Sequence, residues 1–367
     1  MNTAQCALVV QVLREPERLR HLNEAQWSLL ARQARRSDLL ARVACLAEQV
    51  GARPGIAMQV GAHLDDILML AKAQASEVRR EVEFLALALA PLGIPVTLMK
   101  GAAYLLSGRQ AAIGRLFSDI DIIVPKARIA EVEATLMLHG WAGSHHTPYD
   151  QRYYRQWMHE IPPMQHIHRG TTLDVHHAIL PETARLRPSS ASILAAAKPI
   201  ADDPRVLVLA QHDMVLHSMT HLFHNEELSH GLRDLSDLDL LLREFSDDPA
   251  FWPGLVERAK QLDLTRPLFY GLRYTQQFFA TPVPAQTVAA LAPFGPSQPL
   301  GRLMDLLWSR GLAPQHDTAA PTYLAPALFA LYVRAHWLRM PPVLLACHFA
   351  NKAFLMRQTK PAQAQAQ

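Results

Sequence analysis

Hydrophobic residues recur at helical spacing through the first part of the chain. Across residues 5–90 the apolar positions fall on single helical faces, and no alternating run typical of a strand occurs. One such face carries Leu64, Ile67, Leu68 and Ala71. The longest helix is predicted from about Ile56 to the helix-stop residues near Pro91–Gly93. We therefore expect an N-terminal region made of helices.

The pattern then changes to short runs that favour strands. Ile94–Met99 is β-prone, and Ser118–Val124 alternates polar and apolar residues before it becomes fully apolar. Two further runs, Met164–His168 and Thr171–Ile179, flank Arg169-Gly170. A short turn between two β-prone runs is typical of a β-hairpin. These runs predict a small sheet.

Helix-prone segments lie between these predicted strands, at Ala102–Leu106 and at Ala127–His139. The helical period is expected to return at Arg205. The predicted fold class is α+β, with a small mixed-sheet core embedded in mostly helical N- and C-terminal regions. The predicted units are an N-terminal helical region, an α/β core, a linker, a C-terminal helical domain and a frayed tail, at residues 1–93, 94–180, 181–204, 205–355 and 356–367.

Composition narrows the class of protein. Half of the 367 residues are hydrophobic, so the chain can bury a core. The formal net charge of +3 is too small to predict a broad nucleic-acid surface. Three scattered cysteines and an N-terminus without a signal-peptide layout predict a reduced, cytoplasmic protein. No uninterrupted apolar run reaches the roughly 20 residues of a membrane span, so none is expected.

The strongest chemical signal is the pair Asp119 and Asp121. Residues two apart on a strand point to the same face, so both carboxylates project together. Asp174, on a later predicted strand, offers a third carboxylate. Carboxylate oxygens are the ligands that Mg²⁺ prefers, and paired carboxylates can bridge two ions. The pattern predicts a site for Mg²⁺ or Mn²⁺.

A near copy of this motif occurs later in the chain, at Ser236–Leu241. There the surrounding leucines recur at helical spacing, and on a helix Asp237 and Asp239 diverge by about 200°. The β-branched neighbours of the first copy favour a strand instead. We interpret the first copy as a site and the second as surface or inter-helix polar residues.

Phosphate-binding chemistry is predicted beside the first copy. Lys100 and Gly101 stand between a predicted strand and helix, where backbone N–H groups can hold phosphate and Lys adds a charge. Arg115 precedes the acidic pair and is suited to bidentate phosphate binding. His176 shares a strand face with Asp174 and is predicted to meet the phosphates or the acceptor.

These segments resemble, in order, the motifs of a known family. The matching motifs are Leu98–Tyr104, Arg115–Val124 and Leu173–His177, and a helical segment through His212–Asp237 follows them. They are similar to the uncharacterised nucleotidyltransferase family of bacteria, within the polymerase-β-like nucleotidyltransferase superfamily, over residues 94–245. The resemblance implies a nucleotidyltransferase that uses an NTP as substrate.

The resemblance also implies roles for particular residues. Asp119 and Asp121 would bind the metals, and Asp174 would complete the triad. Gly101 and its neighbours would face the triphosphate, and we include Ser118, His176 and His221 among the nucleotide-binding candidates. Many superfamily members carry Gly-Ser at the strand-to-helix turn. Here the turn carries Lys-Gly, a form that the uncharacterised family shares.

Three other functions remain open at this stage, and one of them, a nucleic-acid modifier of the polymerase or tRNA type, is disfavoured by the near-neutral charge. The second is a catalytically inactive nucleotide-binding or scaffolding protein of the same fold. The third is a His-based metal hydrolase, because the chain has 18 histidines and three of them, His217, His221 and His224, share one predicted helix face. That helix lacks the Glu of a metalloprotease His-Glu-x-x-His motif, which favours a pocket wall instead. The predicted partners are an NTP and an unknown acceptor.

Overall fold

The structure is a computed structural model that describes most of the chain. The described residues are 7–52, 58–143, 154, 157–201, 203–319 and 321–341. The helix start predicted near Ile56 lies outside them, as do the predicted end of the C-terminal helices and the predicted tail.

Helices fill the described part of the N-terminal region. They are α1 Leu8–Arg14, α2 Glu24–Arg36, α3 Leu40–Gln49 and α4 Met58–Leu89. A capping box starts α2, since Asn23 and Gln26 each bond the other's backbone. The long helix α4 is followed by a short 3₁₀ turn, Ala90–Leu92, which ends at Gly93. The φ of Gly93 is 65°, a left-handed conformation that favours glycine.

A mixed sheet follows, and its seven described strands are arranged in the order β3-β4-β5-β2-β1-β7-β6. The strands are β1 Val96–Leu98, β2 Ile120–Ile123, β3 Trp141–Gly143, β4 Met164–His166, β5 Thr172–His176, β6 Lys198–Ile200 and β7 Asp203–Val208. The central strand β2 pairs antiparallel with β1 and parallel with β5. The predicted hairpin forms between β4 and β5. The α+β class and the mixed sheet are therefore confirmed.

The expected boundary near residue 205 needs correction. Strand β7 spans that position and pairs in parallel with β1, so the sheet continues to Val208. The expected linker 181–204 also contains a helix and strand β6. The sequence pattern did not indicate these strands, because β7 begins with Asp-Pro and β6 has Pro at its centre. Asp and Pro are both depleted in strands.

The remaining described helices pack around the sheet and continue to Arg339. Those among the strands are α5 Lys100–Leu106, α6 Ile129–Leu138 and α7 Ser190–Ala196. Those that follow the sheet are α8 Gln211–His224, α9 Gly231–Phe245, α10 Phe251–Gln261, α11 Thr265–Phe279, α12 Ala285–Leu291, α13 Gln298–Gly311 and α14 Leu324–Arg339. None of the described helices is both long and apolar enough to cross a bilayer.

The second acidic motif lies on helix α9, as its leucine spacing predicts. Its leucines pack into the core, and its two aspartates are buried as well. Asp239 bonds to Arg243 and Thr281, whereas Asp237 bonds to Arg42 of α3 and to Arg115 in the segment before β2. These are inter-helix polar residues, and the alternative of a surface position is wrong.

A buried ion-pair network centred on Asp237 joins three parts of the fold. Arg42 of α3 lies 2.7 Å from one carboxylate oxygen, and Arg115, just before β2, lies 2.9 Å from the other. Arg42 also donates to Ser236 and to the carbonyl of Ala111. Burial alone would raise the pKa of Asp237, but the two guanidinium groups outweigh it and lower this pKa. The carboxylate therefore stays charged and fixes α3 and α9 against the segment before β2.

Removing Asp237 should strongly destabilise the fold. Asp237→Ala leaves two buried guanidinium groups without their counter-charge, which costs about 3–5 kcal/mol of unfolding free energy. Urea denaturation measures this loss. The matched control is Glu182→Ala, which breaks the exposed Lys126–Glu182 pair and should cost less than about 1 kcal/mol. Equal effects of the two substitutions would contradict the structural role of the network.

Candidate active site

The parallel pairing of β2 with β5 builds the centre of the site. In its register Asp121 stands directly beside Asp174, and Ile123 stands beside His176. Neighbouring strands lie about 4.8 Å apart, so residues in register on one face come close together. The neighbouring apolar residues of both strands are fully buried and hold this register; they are Ile120, Ile122, Leu173 and Val175. Two acidic side chains therefore meet at one face of a rigid sheet.

A pocket of about 440 Å³ opens over this face. Asp119, Asp121 and Asp174 all line it, so the structure brings together the three predicted metal ligands. The other predicted site residues also line it: Lys100, Gly101, Arg115, Ser118, His176 and His221. Helices α8 and α9 and the end of α14 supply the opposite wall, with His224, Asp234 and Arg339 among the lining residues.

Lys100 makes the closest contact to the acidic centre. Its Nζ lies 2.6 Å from Oδ1 of Asp121, and its backbone takes a φ of 45°, which is uncommon for a residue with a side chain. Burial alone would lower the pKa of Lys100, but the charges of Asp121 and Asp119 outweigh it and raise this pKa. The ammonium group therefore neutralises part of the carboxylate charge.

His176 contacts the same carboxylate oxygen from the other side. Its Nε2 lies 3.1 Å from Oδ1 of Asp121. Burial alone would raise the pKa of Asp121, but Lys100 and the hydrogen bond from His176 hold this pKa well below its ordinary range. Asp121 is thus a carboxylate that remains ionised near neutral pH.

Asp174 and Asp119 are less well compensated by positive charge. Burial and the charges of Asp121 and Glu160 raise the pKa of Asp174 to about 7, and burial and Asp121 also raise the pKa of Asp119. Oδ1 of Asp174 is buried and makes no hydrogen bond within the part of the chain that the structure describes. An orphaned carboxylate oxygen beside two other carboxylates fits a divalent cation that prefers oxygen ligands.

Arg115 differs from the predicted free phosphate-binding group. Its Nε donates to Asp237, and one Nη donates to the carbonyl of Leu116. Part of the guanidinium group is therefore already hydrogen-bonded within the protein. Gly101 packs directly against it, and a Cβ at Gly101 would collide with the Arg115 guanidinium and approach Phe117. Gly101 is therefore needed for the placement of Arg115.

The histidine face of helix α8 forms part of the pocket wall, through His221 and His224. His217 and His221 lie side by side, with ring centroids 6.4 Å apart, and burial lowers the pKa of both. His224 donates from Nδ1 to the carbonyl of Thr220, and burial lowers its pKa in the same way. Within the described ranges, no group of three close ligating side chains occurs on this helix.

Sequence reasoning missed His159 and Glu160, which line the pocket next to His176. They lie just before Ile161, whose N–H donates to Val175 of β5. The isolated bridge between Glu160 and His176 fixes them beside the strand. No motif spacing indicated them, because their position depends on backbone pairing outside the regular strands.

The raised pKa of Asp174 predicts a specific pH dependence of stability in the absence of divalent metal. Between about pH 4 and pH 7 the folded Asp174 keeps a proton that the unfolded chain has released, so ionisation opposes folding as pH rises. Asp174→Asn cannot ionise. Its unfolding free energy relative to the wild type should therefore increase from pH 4 to pH 7 and level off above it.

Denaturation of both proteins in EDTA across this range measures the effect. Taking the difference between the variants cancels the titration of groups that do not interact with Asp174. A difference that stays constant, or that shrinks as pH rises, would contradict the proposed environment of Asp174.

Comparison with known proteins agrees with the ordered motifs. A family model described as "Uncharacterised nucleotidyltransferase" matches residues 23–280, well over half of the chain. No curated protein matches. A solution structure of the antibiotic-resistance factor ANT(2'')-Ia aligns at a TM-score of 0.33 and 15% identity, over 56% of this chain and 96% of that chain. The family match is what identifies the chain. It belongs to the uncharacterised nucleotidyltransferase family and is a nucleotidyltransferase enzyme.

Proposed function

We propose that this enzyme transfers an NMP group from an NTP to a hydroxyl-bearing acceptor with release of pyrophosphate. Asp119, Asp121 and Asp174 would hold Mg²⁺ or Mn²⁺. The observation that carries the proposal is the register of β2 and β5, which puts Asp121 beside Asp174 at a pocket that Asp119 also lines. A pocket of about 440 Å³ has the size of a small-molecule site.

When bound, the divalent ions would supply charge stabilisation for the attacking and leaving oxygens. The residues of the chain align the substrates. A bond forms between the acceptor oxygen and the α-phosphorus, the bond from that phosphorus to the bridging oxygen breaks, and pyrophosphate leaves. The acceptor proton moves to the carboxylate of Asp174, which lines the pocket beside Asp121.

Lys100, Gly101, Arg115 and Ser118 would bind the triphosphate. Lys100 contacts Asp121, and a cation on the aspartates would compete with its ammonium group for the same oxygen. Lys100 would then pair with phosphate oxygens instead, as a flexible point charge can. His176 orients Asp121, and His221 lines the wall that faces the nucleotide.

The acceptor is proposed to be a small molecule, a sugar or a protein. The pocket wall formed by helices α8, α9 and α14 and the segment between α8 and α9 carries acidic and basic side chains, namely Glu226, Arg233, Asp234 and Arg339. Because the net charge is only +3, a nucleic-acid acceptor is disfavoured. We also propose a cytoplasmic location, from the scattered cysteines alone.

Loss of one metal-binding carboxylate should abolish nucleotidyl transfer. Asp121→Asn removes a carboxylate that remains ionised near neutral pH, and transfer should fall at least about 100-fold because several kcal/mol of charge stabilisation are lost. The assay follows pyrophosphate release and label transfer from each NTP, with Mg²⁺ or Mn²⁺ and a cell extract as acceptor source.

The matched control is Asp239→Asn, which changes the corresponding aspartate of the helical copy, away from the pocket. This variant should keep wild-type transfer. Absence of turnover in the wild type, with NTP binding unchanged in Asp121→Asn, would overturn the enzymatic proposal and favour the scaffolding alternative.

Gly101→Ala should weaken nucleotide binding. The added Cβ displaces the Arg115 guanidinium, and loss of a charged hydrogen bond to phosphate corresponds to about 10–100-fold in the Kd for NTP. Calorimetric titration measures it. Gly61→Ala is the control, since no described atom outside the adjacent backbone of its own helix lies within 4 Å of the new Cβ. An unchanged Kd in Gly101→Ala would contradict the phosphate-binding role of Arg115.

A further inference from the structure

A second group of ligating side chains lies beside the aspartates. His159, Glu160 and His176 each offer one ligand atom, and these atoms lie within 4.8 Å of one another. All three side chains line the pocket. None of them belongs to the aspartate triad, and their donor set of two imidazoles and one carboxylate has a different chemical preference from three carboxylates.

The geometry of His176 points to a ligand on its Nδ1. This side chain is only 4% exposed, and its Nε2 faces Asp121. Its Nδ1 makes no hydrogen bond to any described residue, although it lies 3.1 Å from Oε2 of Glu160. In a tetrahedral site with metal–ligand distances near 2.0–2.1 Å, neighbouring ligand atoms are about 3.3 Å apart. The separation is that expected of two ligands of one ion.

Asp121 supplies the hydrogen-bond acceptor that the second ring nitrogen of a metal-bound His176 needs. A metal-bound imidazole usually donates its other N–H to a carboxylate, which fixes the tautomer and the ring orientation. The Nε2 of His176, 3.1 Å from Asp121, is placed for this contact. The same bond would couple the two sites through one imidazole ring.

His159 completes the group. Its Nδ1 is also buried without a hydrogen-bond partner within the described residues, and its ring lies 5.3 Å from that of His176. Backbone bonds hold it in place, since its carbonyl accepts from the N–H of His177 at 2.8 Å.

We propose that His159, Glu160 and His176 form a second metal site, selective for a divalent transition ion such as Zn²⁺. Imidazole nitrogens suit zinc and its neighbours, whereas Mg²⁺ prefers oxygen. Three protein ligands leave a coordination position open toward the pocket, in the manner of non-structural zinc sites. The alternative is a protonated His176 that bridges Glu160 and Asp121 with no ion.

Cobalt is the probe that separates these possibilities. The full chain, stripped with EDTA, is titrated with CoCl₂ in an excess of Mg²⁺, which occupies oxygen-rich sites. We expect one saturable equivalent with visible d–d absorption bands of a nitrogen-ligated ion. His159→Ala and the milder Glu160→Gln should each raise the Kd for Co²⁺ at least about tenfold. Asp119→Asn should leave it unchanged.

His177→Ala is the matched control, because it removes the adjacent imidazole of the same segment, which does not line the pocket. It should bind Co²⁺ as the wild type does. Absence of stoichiometric Co²⁺ binding in excess Mg²⁺ would overturn the proposal. So would binding that Asp119→Asn abolishes and that His159→Ala and Glu160→Gln leave intact. Neither readout needs nucleotidyl transfer, so the result is independent of the proposed function.

Discussion

The site depends on one pairing, the parallel register of β2 and β5 that puts Asp121 beside Asp174. Two carboxylates held side by side in this way repel each other, and burial of Asp121 and of Oδ1 of Asp174 also removes hydration. The fold tolerates them because Lys100 and His176 contact Asp121, and because Asp174 can keep a proton near neutral pH. Binding of divalent cations would relieve the same repulsion. The arrangement that costs stability in the free protein is thus the one suited to metal binding.

The helices contribute more than a covering of the sheet. Asp237 of α9 holds Arg115 at the pocket and Arg42 of α3 behind it, so one buried carboxylate connects both helical regions to the segment that leads into β2. Gly101 leaves the space that Arg115 occupies. The orientation of the predicted phosphate-binding group therefore depends on residues far apart in the sequence.

Much of the fold could be predicted from the sequence because strong local patterns carry it. The β-branched residues around Asp121 indicated a strand, and the leucine period around Asp237 indicated a helix, as the structure has them. Strand β7 begins with Asp203-Pro204, residues that are depleted in strands, so only its pairing with β1 reveals it. The positions of His159 and Glu160 could not be predicted from the sequence either, because contacts between distant segments determine them. Local pattern identifies carboxylates on a strand, but it does not show which cations neutralise them.

The most direct test of the aspartate centre is to locate the metal in the protein itself. Crystals grown with Mn²⁺ and a non-hydrolysable NTP analogue would show anomalous scattering from the ion. We expect anomalous peaks in contact with Asp119, Asp121 and Asp174, triphosphate oxygens on the same ions, and Lys100 Nζ moved from Asp121 to the phosphates. Nucleotide bound elsewhere, or an intact Lys100–Asp121 contact with no Mn²⁺ at the three aspartates, would contradict this mechanism.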